Sequence, residues 1–399
     1  MTDAVRQQYN AAFIPARYAA FLEHIYAIHG HQTPFRISET PVFIPHDLRQ
    51  RLEQACADIN AVICQPDFKA RTAAAIPPGL AVPGEDAHTL FLQMDFGICH
   101  DAQGDLVPQL IELQGFPSLY FFQDLLAASY RQHFDLPPGY PSHLNGLSSA
   151  QYIDLLREAI VGDADPETVV MLEIEPEKQN TYIDFLETRR HLGIAIRCIS
   201  AVRQRGRRLY YTDDAGREVP IARVYNRVIF DELARRPNLP RGFDFGDDLD
   251  VTWVGHPNWF FRISKYTLPM LSGPYVPPSY FLDQLATYPD DLENYVLKPL
   301  FSFSGQGVNI HVRAADLDAI PAPERSGYLL QRKVAYAPAI ATPSGPAKCE
   351  IRMMMVWLPG QPAPRIVNNL IRLSKGDMVG VRYNKDKDWV GASVGFYAR

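Results

Sequence analysis

The chain has 399 residues, with 39 Lys plus Arg against 45 Asp plus Glu, so its formal charge is −6. This excludes a polyanion-coating protein, whose partners call for a basic excess or a dense basic stripe; 47 % hydrophobic and 21 % charged residues describe a globular chain able to bury a large core. Five dispersed cysteines without a CxxC, an N-terminus without an apolar leader, and a longest uncharged stretch (Tyr266 to Leu282) broken by Pro269, Gly273, Pro274, Pro277 and Pro278 lead to the expectation of a reduced, cytoplasmic protein that enters no membrane and binds no nucleic acid.

In chain order, Ala4 to Ile28 has apolar residues recurring at helical spacing, and Pro45-His46-Asp47 opens a second run through Leu52, Ala55, Ile59 and Ile63. Thr89 to Phe96 and Leu106 to Leu113 read as strands joined by the turn-rich Asp101 to Asp105, which predicts a β-hairpin. A helix follows from Leu119 to about Arg131, then a Pro/Gly/Ser-rich linker from Pro137 to Ser149. From Gln151 to Ser200 the pattern becomes helix, strand (Thr168 to Ile174), helix (Thr181 to His191), strand (Ile194 to Ser200), which is a βαβ unit of a parallel, Rossmann-like sheet without the GxGxxG turn. Val202 to Tyr225 reads as hairpin strands. Further strands are expected over Tyr295 to Leu300, Val308 to Val312, Tyr328 to Val334, Cys349 to Leu358 and Arg365 to Leu373.

Only nine residues are Lys, so a lysine inside an apolar strand stands out. Lys298 is one, in Tyr-Val-Leu-Lys298-Pro-Leu-Phe-Ser302-Phe-Ser304-Gly305-Gln306-Gly307-Val308. A Gly-rich loop lets backbone N–H groups approach phosphate oxygens and a lysine supplies a point charge for them, whereas a tight hairpin with a snorkelling lysine has the same local sequence. Lys265 lies upstream. Downstream, Leu329-Leu330-Gln331-Arg332-Lys333-Val334 has the form of a strand running into a linker, followed by Glu350-Ile-Arg352 and by Arg365 to Ser374 with Arg372. This order of elements resembles the ATP-grasp superfamily, in which ATP is held between two α+β subdomains. The resemblance implies that Lys265, Lys298 and the Ser304, Gly305, Gln306, Gly307 loop bind phosphates, that Gln331, Lys333 and Val334 form the adenine hinge, and that Arg352 and Arg372, with Lys298, serve the acyl-phosphate chemistry.

Such chemistry needs magnesium on oxygen ligands. The C-terminal tail offers only Asp377, Asp386 and Asp388 in a loop-like setting, but Gln93-Met94-Asp95-Phe96-Gly97 and, 17 residues past Asp95, Glu112-Leu-Gln114 provide acids on the hairpin. Strand alternation puts Glu112 and Gln114 on one face, which Asp95 approaches if the strands pair; in isolation such acids are usually solvated. Asp-Phe, a loop, then Glu-x-Gln and a Pro-Ser turn is similar to the magnesium-binding hairpin of glutathionylspermidine synthases and their circularly permuted ATP-grasp relatives. That resemblance makes Asp95, Glu112 and Gln114 the metal ligands. The departures are Gln93, where those synthases have Arg, and Gln114, where they have Asn.

Elsewhere, Glu173 to Thr181 follows a buried-type strand where α/β sheets bind ligands, although Asn180 or Thr181 as a helix N-cap explains the motif more simply. Arg203, Arg205, Arg207 and Arg208 read as a solvated face, Tyr225-Asn226-Arg227 as a strand end within reach of substrate, and isolated histidines give no support for triad catalysis. The fold expected is mixed α+β and α/β: a circularly permuted ATP-grasp protein with an N-terminal helical segment (1–70), the metal-binding part of the core (71–150), a Rossmann-like substrate subdomain (151–250) and a lysine, glycine-loop and hinge region (251–399). The activity expected is ATP- and magnesium-dependent ligation of a small carboxylate and an amine, with a kinase or a nucleotide-binding protein without turnover as alternatives and association as a homodimer left open.

Overall fold

Two hairpins far apart in sequence build the central sheet. In this computed structural model, which describes residues 1, 3–302, 305–376, 379, 384 and 386–398, the strands Phe91–His100 and Leu106–Gln114 form the expected hairpin, and Lys348–Val356, Arg365–Ser374 and Gly391–Ser393 extend it into five antiparallel strands. Alternation divides the sheet into two unlike faces. Leu92, Met94, Phe96 and Ile98 lie on one, with Ile351, Met353 and Met355, and pack against Leu48, Leu52, Cys56 and Ile59 of the helix His46–Ile63. Burying each such side chain contributes about 1.5–3 kcal/mol, so this apolar face holds the register. Gln93, Asp95, Glu112, Gln114, Glu350, Arg352 and Arg372 share the other face.

The βαβ expectation is met by a four-stranded parallel sheet, in spatial order Thr252–Val254, Arg223–Asn226, Val169–Glu173, Ala195–Cys198. Its crossover helix Tyr182–Leu192 ends at Gly193 in the left-handed region, at φ 72°. Chain order reverses between Val169–Glu173 and Arg223–Asn226, which makes a switch point at their carboxyl ends. Two three-stranded antiparallel sheets complete the chain, one of Arg203–Arg205, Arg208–Thr212 and Glu218–Ile221, the other of Ser279–Phe281, Tyr328–Arg332 and Tyr295–Pro299.

Several elements differ from the sequence expectation. The first helical run is two helices, Asp3–Ala12 and Pro15–His29, because Pro15 lacks the N–H that a continuous helix needs and sits instead at the second helix's start. Val42–Ile44 was not anticipated and pairs in parallel with Gly395–Tyr397, tying the two ends of the chain together. Tyr225 lies in the parallel sheet rather than the hairpins, since the apolar Val224-Tyr225 pair is buried there. The strand expected over Val308 to Val312 is absent: Asn309 exchanges one pair of backbone hydrogen bonds with Leu297, then its side chain accepts the His311 N–H at 2.8 Å and ends the ladder. Thr181 occupies the N-cap position, yet its side chain caps nothing. All five cysteines are free, and no helix among the described residues is long and apolar enough to cross a membrane.

Candidate functional site

The polar face of the central sheet is built by register. Asp95 stands opposite Glu112 on one neighbouring strand and opposite Arg352 on the other; Glu350 stands between Gly97 and Arg372. Asp95 is 1 % exposed. Arg352 grips it with both arms, Nε donating to Oδ1 at 2.5 Å and Nη2 to Oδ2 at 2.7 Å, while Nη1 donates to Gln93 Oε1 at 3.1 Å. Arg372 Nη2 donates to Asp95 Oδ2 at 2.5 Å and also to Glu350 Oε1. Burial pushes the Asp95 carboxyl up, but the two guanidiniums outweigh it and hold the group below its ordinary range. At Glu350 burial prevails over Arg372 and raises the carboxyl, whose Oε2 accepts the Tyr336 hydroxyl at 3.0 Å.

The lysines expected to hold phosphates meet this face from outside the central sheet, Lys298 from the strand Tyr295–Pro299 and Lys265 from the short helix Lys265–Met270. A register shift beside Asp95 leaves Ile111 out of the hairpin ladder, and its freed carbonyl accepts from Lys298 Nζ at 2.9 Å. Lys298 also donates to Gln331 Oε1 at 2.6 Å, and Gln331 Nε2 donates to the Leu110 carbonyl at 3.2 Å. Burial lowers the Lys298 ammonium to about 8 against the opposing charge of Glu112, and lowers Lys265 likewise. Lys265 Nζ donates to the Ser302 carbonyl at 2.5 Å, at the mouth of the glycine loop. Lys298, Lys265, Gln331 and the hairpin acids therefore belong to one cluster.

Other expected residues are placed less directly. Ser304 lies outside the described residues, as does Asp377. Gly305 and Gly307 take φ of 69° and 73°, and a Cβ on Gly307 would meet Pro299 Cγ at 2.9 Å, so that turn requires glycine. Gln306 turns away from the cluster and accepts from Arg235 at 2.9 Å. Lys333 has its backbone N–H on the Asn294 carbonyl at 2.7 Å and its ammonium on the Glu293 carbonyl. A cavity of about 480 Å³ opens beside it, lined also by Asn309, His311 and Asp316. Val334 lies over Gly97, where a Cβ would come within 2.8 Å of Val334 Cγ1 and 2.9 Å of the Tyr336 ring. Val334 and Tyr336 cross the polar face in close contact because residue 97 has no side chain.

Asp95, Glu112 and Gln114, the residues expected to hold magnesium, have unlike surroundings. Among the described residues no group of three or more His, Cys, Asp or Glu side chains is arranged to hold a metal ion. Both oxygens of Asp95 are taken by arginines, a use that the residue pattern did not disclose because Arg352 and Arg372 are about 260 and 280 positions away. The Glu112 carboxylate accepts no hydrogen bond from a described side chain. Gln114 donates its amide nitrogen to Gln93 Oε1 at 2.6 Å and to the Phe116 carbonyl at 3.1 Å, so its oxygen is left for another partner. One carboxylate and one amide oxygen, completed by phosphate oxygens and water, fit magnesium's habit of taking few protein ligands.

A second cluster lies at the switch point of the parallel sheet. Arg227 is 2 % exposed, its guanidinium 4.2 Å from the Phe116 ring centroid and 5.2 Å from that of Phe185. Its Nε and Nη1 have no hydrogen-bond partner among the described residues. Glu173 is buried beside it and accepts the Ile174 N–H at 2.7 Å; burial raises this carboxyl to about 8 despite Arg227. Arg227 Nη2 reaches Thr181 Oγ1 at 3.5 Å, and Thr181, at φ −97° and ψ 16°, lacks the extended backbone from which an N-cap side chain reaches its helix. The strand-end position of Arg227 was visible in the sequence, but its unpartnered burial was not. Phe116 links the clusters, since it follows Gln114 by two residues.

No family profile and no curated protein matches the sequence. Among solved structures, a glutathione synthetase-like effector from Globodera pallida, in its apo form, aligns with a TM-score of 0.58 and 10 % identity over 97 % of each chain. A Methylobacillus flagellatus protein with the provisional name gamma-glutamylcysteine synthetase aligns over 89 % of this chain and 87 % of its own, at 14 % identity and a TM-score of 0.37, which is too low to carry an argument. The chain is similar in overall fold to the glutathione synthetase-like effector across nearly its whole length.

Proposed function

We propose that the protein is an ATP- and magnesium-dependent ligase of circularly permuted ATP-grasp type, joining a small carboxylate to an amine through an acyl phosphate. The observation that carries the reading is the meeting of Lys298 with the acidic hairpin at Ile111, beside Glu112 and the two guanidiniums. The shared fold with a glutathione synthetase-like protein supports it.

In this reading a carboxylate oxygen of the substrate attacks the γ-phosphorus of ATP and ADP leaves. The amine then attacks the acyl carbon, phosphate leaves, and the amine proton passes to solvent. Lys298 and Lys265 hold the transferring phosphates, the Gly305 to Gly307 turn brings backbone N–H groups close to them, and Gln331, Lys333 and Val334 flank the adenine. Arg372 uses one nitrogen for two carboxylates and keeps other donors for the phosphoryl group, while Arg352 is fixed on Asp95. Magnesium, held by Glu112 and Gln114, would neutralise charge on the phosphates. The unpartnered edge of Arg227 suits a substrate carboxylate and Glu173 suits an amine, so the switch point is where we place the second substrate.

Incubation of the full chain with ATP, magnesium and pooled amino acids and amines tests this. ADP together with a new amide supports it. ADP with a phosphorylated product instead identifies a kinase, and nucleotide binding without ADP identifies a binding protein.

A further inference from the structure

We propose that Asp95 is a positioning residue that aims two guanidiniums into the cleft, and that the divalent cation belongs to Glu112 and Gln114 without it; this rests on the ligase reading. Each Asp95 oxygen already accepts a guanidinium N–H. Oδ2 accepts from both arginines, and a divalent cation on the same carboxylate would sit against two guanidiniums in a buried place and weaken the pairs that hold them, which is unfavourable. The two arginines are held differently. Arg352 is bidentate, tied also to Gln93, and only 9 % exposed, so it is fixed. Arg372 gives Nη2 alone to Asp95 and Glu350, and its Nε is buried without a partner among the described residues.

Glu350 is itself held by the Tyr336 hydroxyl, on the segment that follows the hinge. Asp95 and Glu350 thus pull on one nitrogen of Arg372 and leave the rest of that guanidinium for an anionic oxygen. Glu112 and Gln114, two residues apart on the same strand face, keep their oxygens free of these contacts. Asp95 therefore serves the anion through arginine, and Glu112 serves the cation directly.

The two roles separate by measurement on the full chain with a non-hydrolysable ATP analogue. Binding of Mn²⁺ is followed by its electron paramagnetic resonance signal, and binding of the analogue in EDTA by calorimetry. Asp95→Asn is expected to keep Mn²⁺ affinity within about threefold but to weaken metal-free analogue binding at least fivefold, with partial rescue in Asp95→Glu. Glu112→Gln is expected to do the reverse, losing Mn²⁺ affinity at least tenfold with metal-free binding unchanged. If Asp95→Asn does not fold, Asp95→Asn/Arg352→Met removes both partners of the pair together and takes its place, with the same outcomes expected. A tenfold loss of Mn²⁺ affinity in a folded Asp95 variant overturns the proposal while leaving the ligase reading intact. Absence of analogue-dependent Mn²⁺ binding in the unaltered protein overturns both.

Discussion

Lys298 donates to the main-chain carbonyl of Ile111 across 2.9 Å, although 187 residues separate them. The contact joins the strand that leads into the glycine loop to the acidic hairpin. It exists because a register shift beside Asp95 frees that carbonyl from the ladder.

Replacing Lys298 by Met removes the charge and leaves Gln331 Oε1 and the Ile111 carbonyl without their donor. Hydrogen bonds from charged donors contribute about 1.5–3 kcal/mol, so nucleotide affinity is expected to fall at least tenfold. Calorimetric titration with an ATP analogue checks this. An unchanged dissociation constant would mean that the Ser/Gly segment is only a hairpin.

Gly97→Ala is expected to destabilise the protein by about 1–3 kcal/mol, because the new methyl overlaps Val334 and Tyr336 and their segment must move off the sheet. Chemical denaturation measures the loss. If this segment flanks the adenine as proposed, a parallel weakening of nucleotide binding is expected, whereas wild-type stability and affinity in the variant would show that neither depends on this contact.

Much of the scaffold was legible in the sequence, and the reasons are local. The hairpin over Phe91–His100 and Leu106–Gln114 has alternating side chains and a polar turn, and the βαβ unit announces itself through the apolar run of Val169–Glu173, the helix Tyr182–Leu192 closed by Gly193, and the short strand after it. Lys298 was legible because charge is rare in an apolar strand. The use of Asp95 was not, since its partners come from strands that reach it only through sheet order. The Val42–Ile44 pairing was hidden for the same reason: three residues carry no period, and their partner is at the far end of the chain.

The stability of the protein is expected to fall as pH rises through the range set by Glu173. Burial lifts this carboxyl from 4.5 to about 8, so the folded state binds a proton that the unfolded state has released. Its contribution is fully present below the unfolded value and is lost as pH climbs toward about 8. Melting temperature against pH, compared between the wild type and Glu173→Gln, isolates the effect: the variant should lack this part of the decline. Identical profiles would remove Glu173 as its source.

Arg227→Met removes the unpartnered guanidinium at the switch point while keeping an apolar contact with Phe116. Steady-state kinetics should show KM for the acidic substrate raised at least tenfold and KM for ATP within about twofold, since loss of a charged hydrogen bond is worth about 1.5–3 kcal/mol. Equal changes in both would place Arg227 in the scaffold instead.

In the proposed enzyme the first and last thirds of the chain share one nucleotide cleft. A crystal structure with a non-hydrolysable ATP analogue and magnesium tests it most directly. The terminal phosphates are expected between Lys298 and Arg372, with the cation on Glu112 and Gln114. An analogue bound elsewhere, such as the cavity beside His311, with Lys298 still on the Ile111 carbonyl, would contradict it.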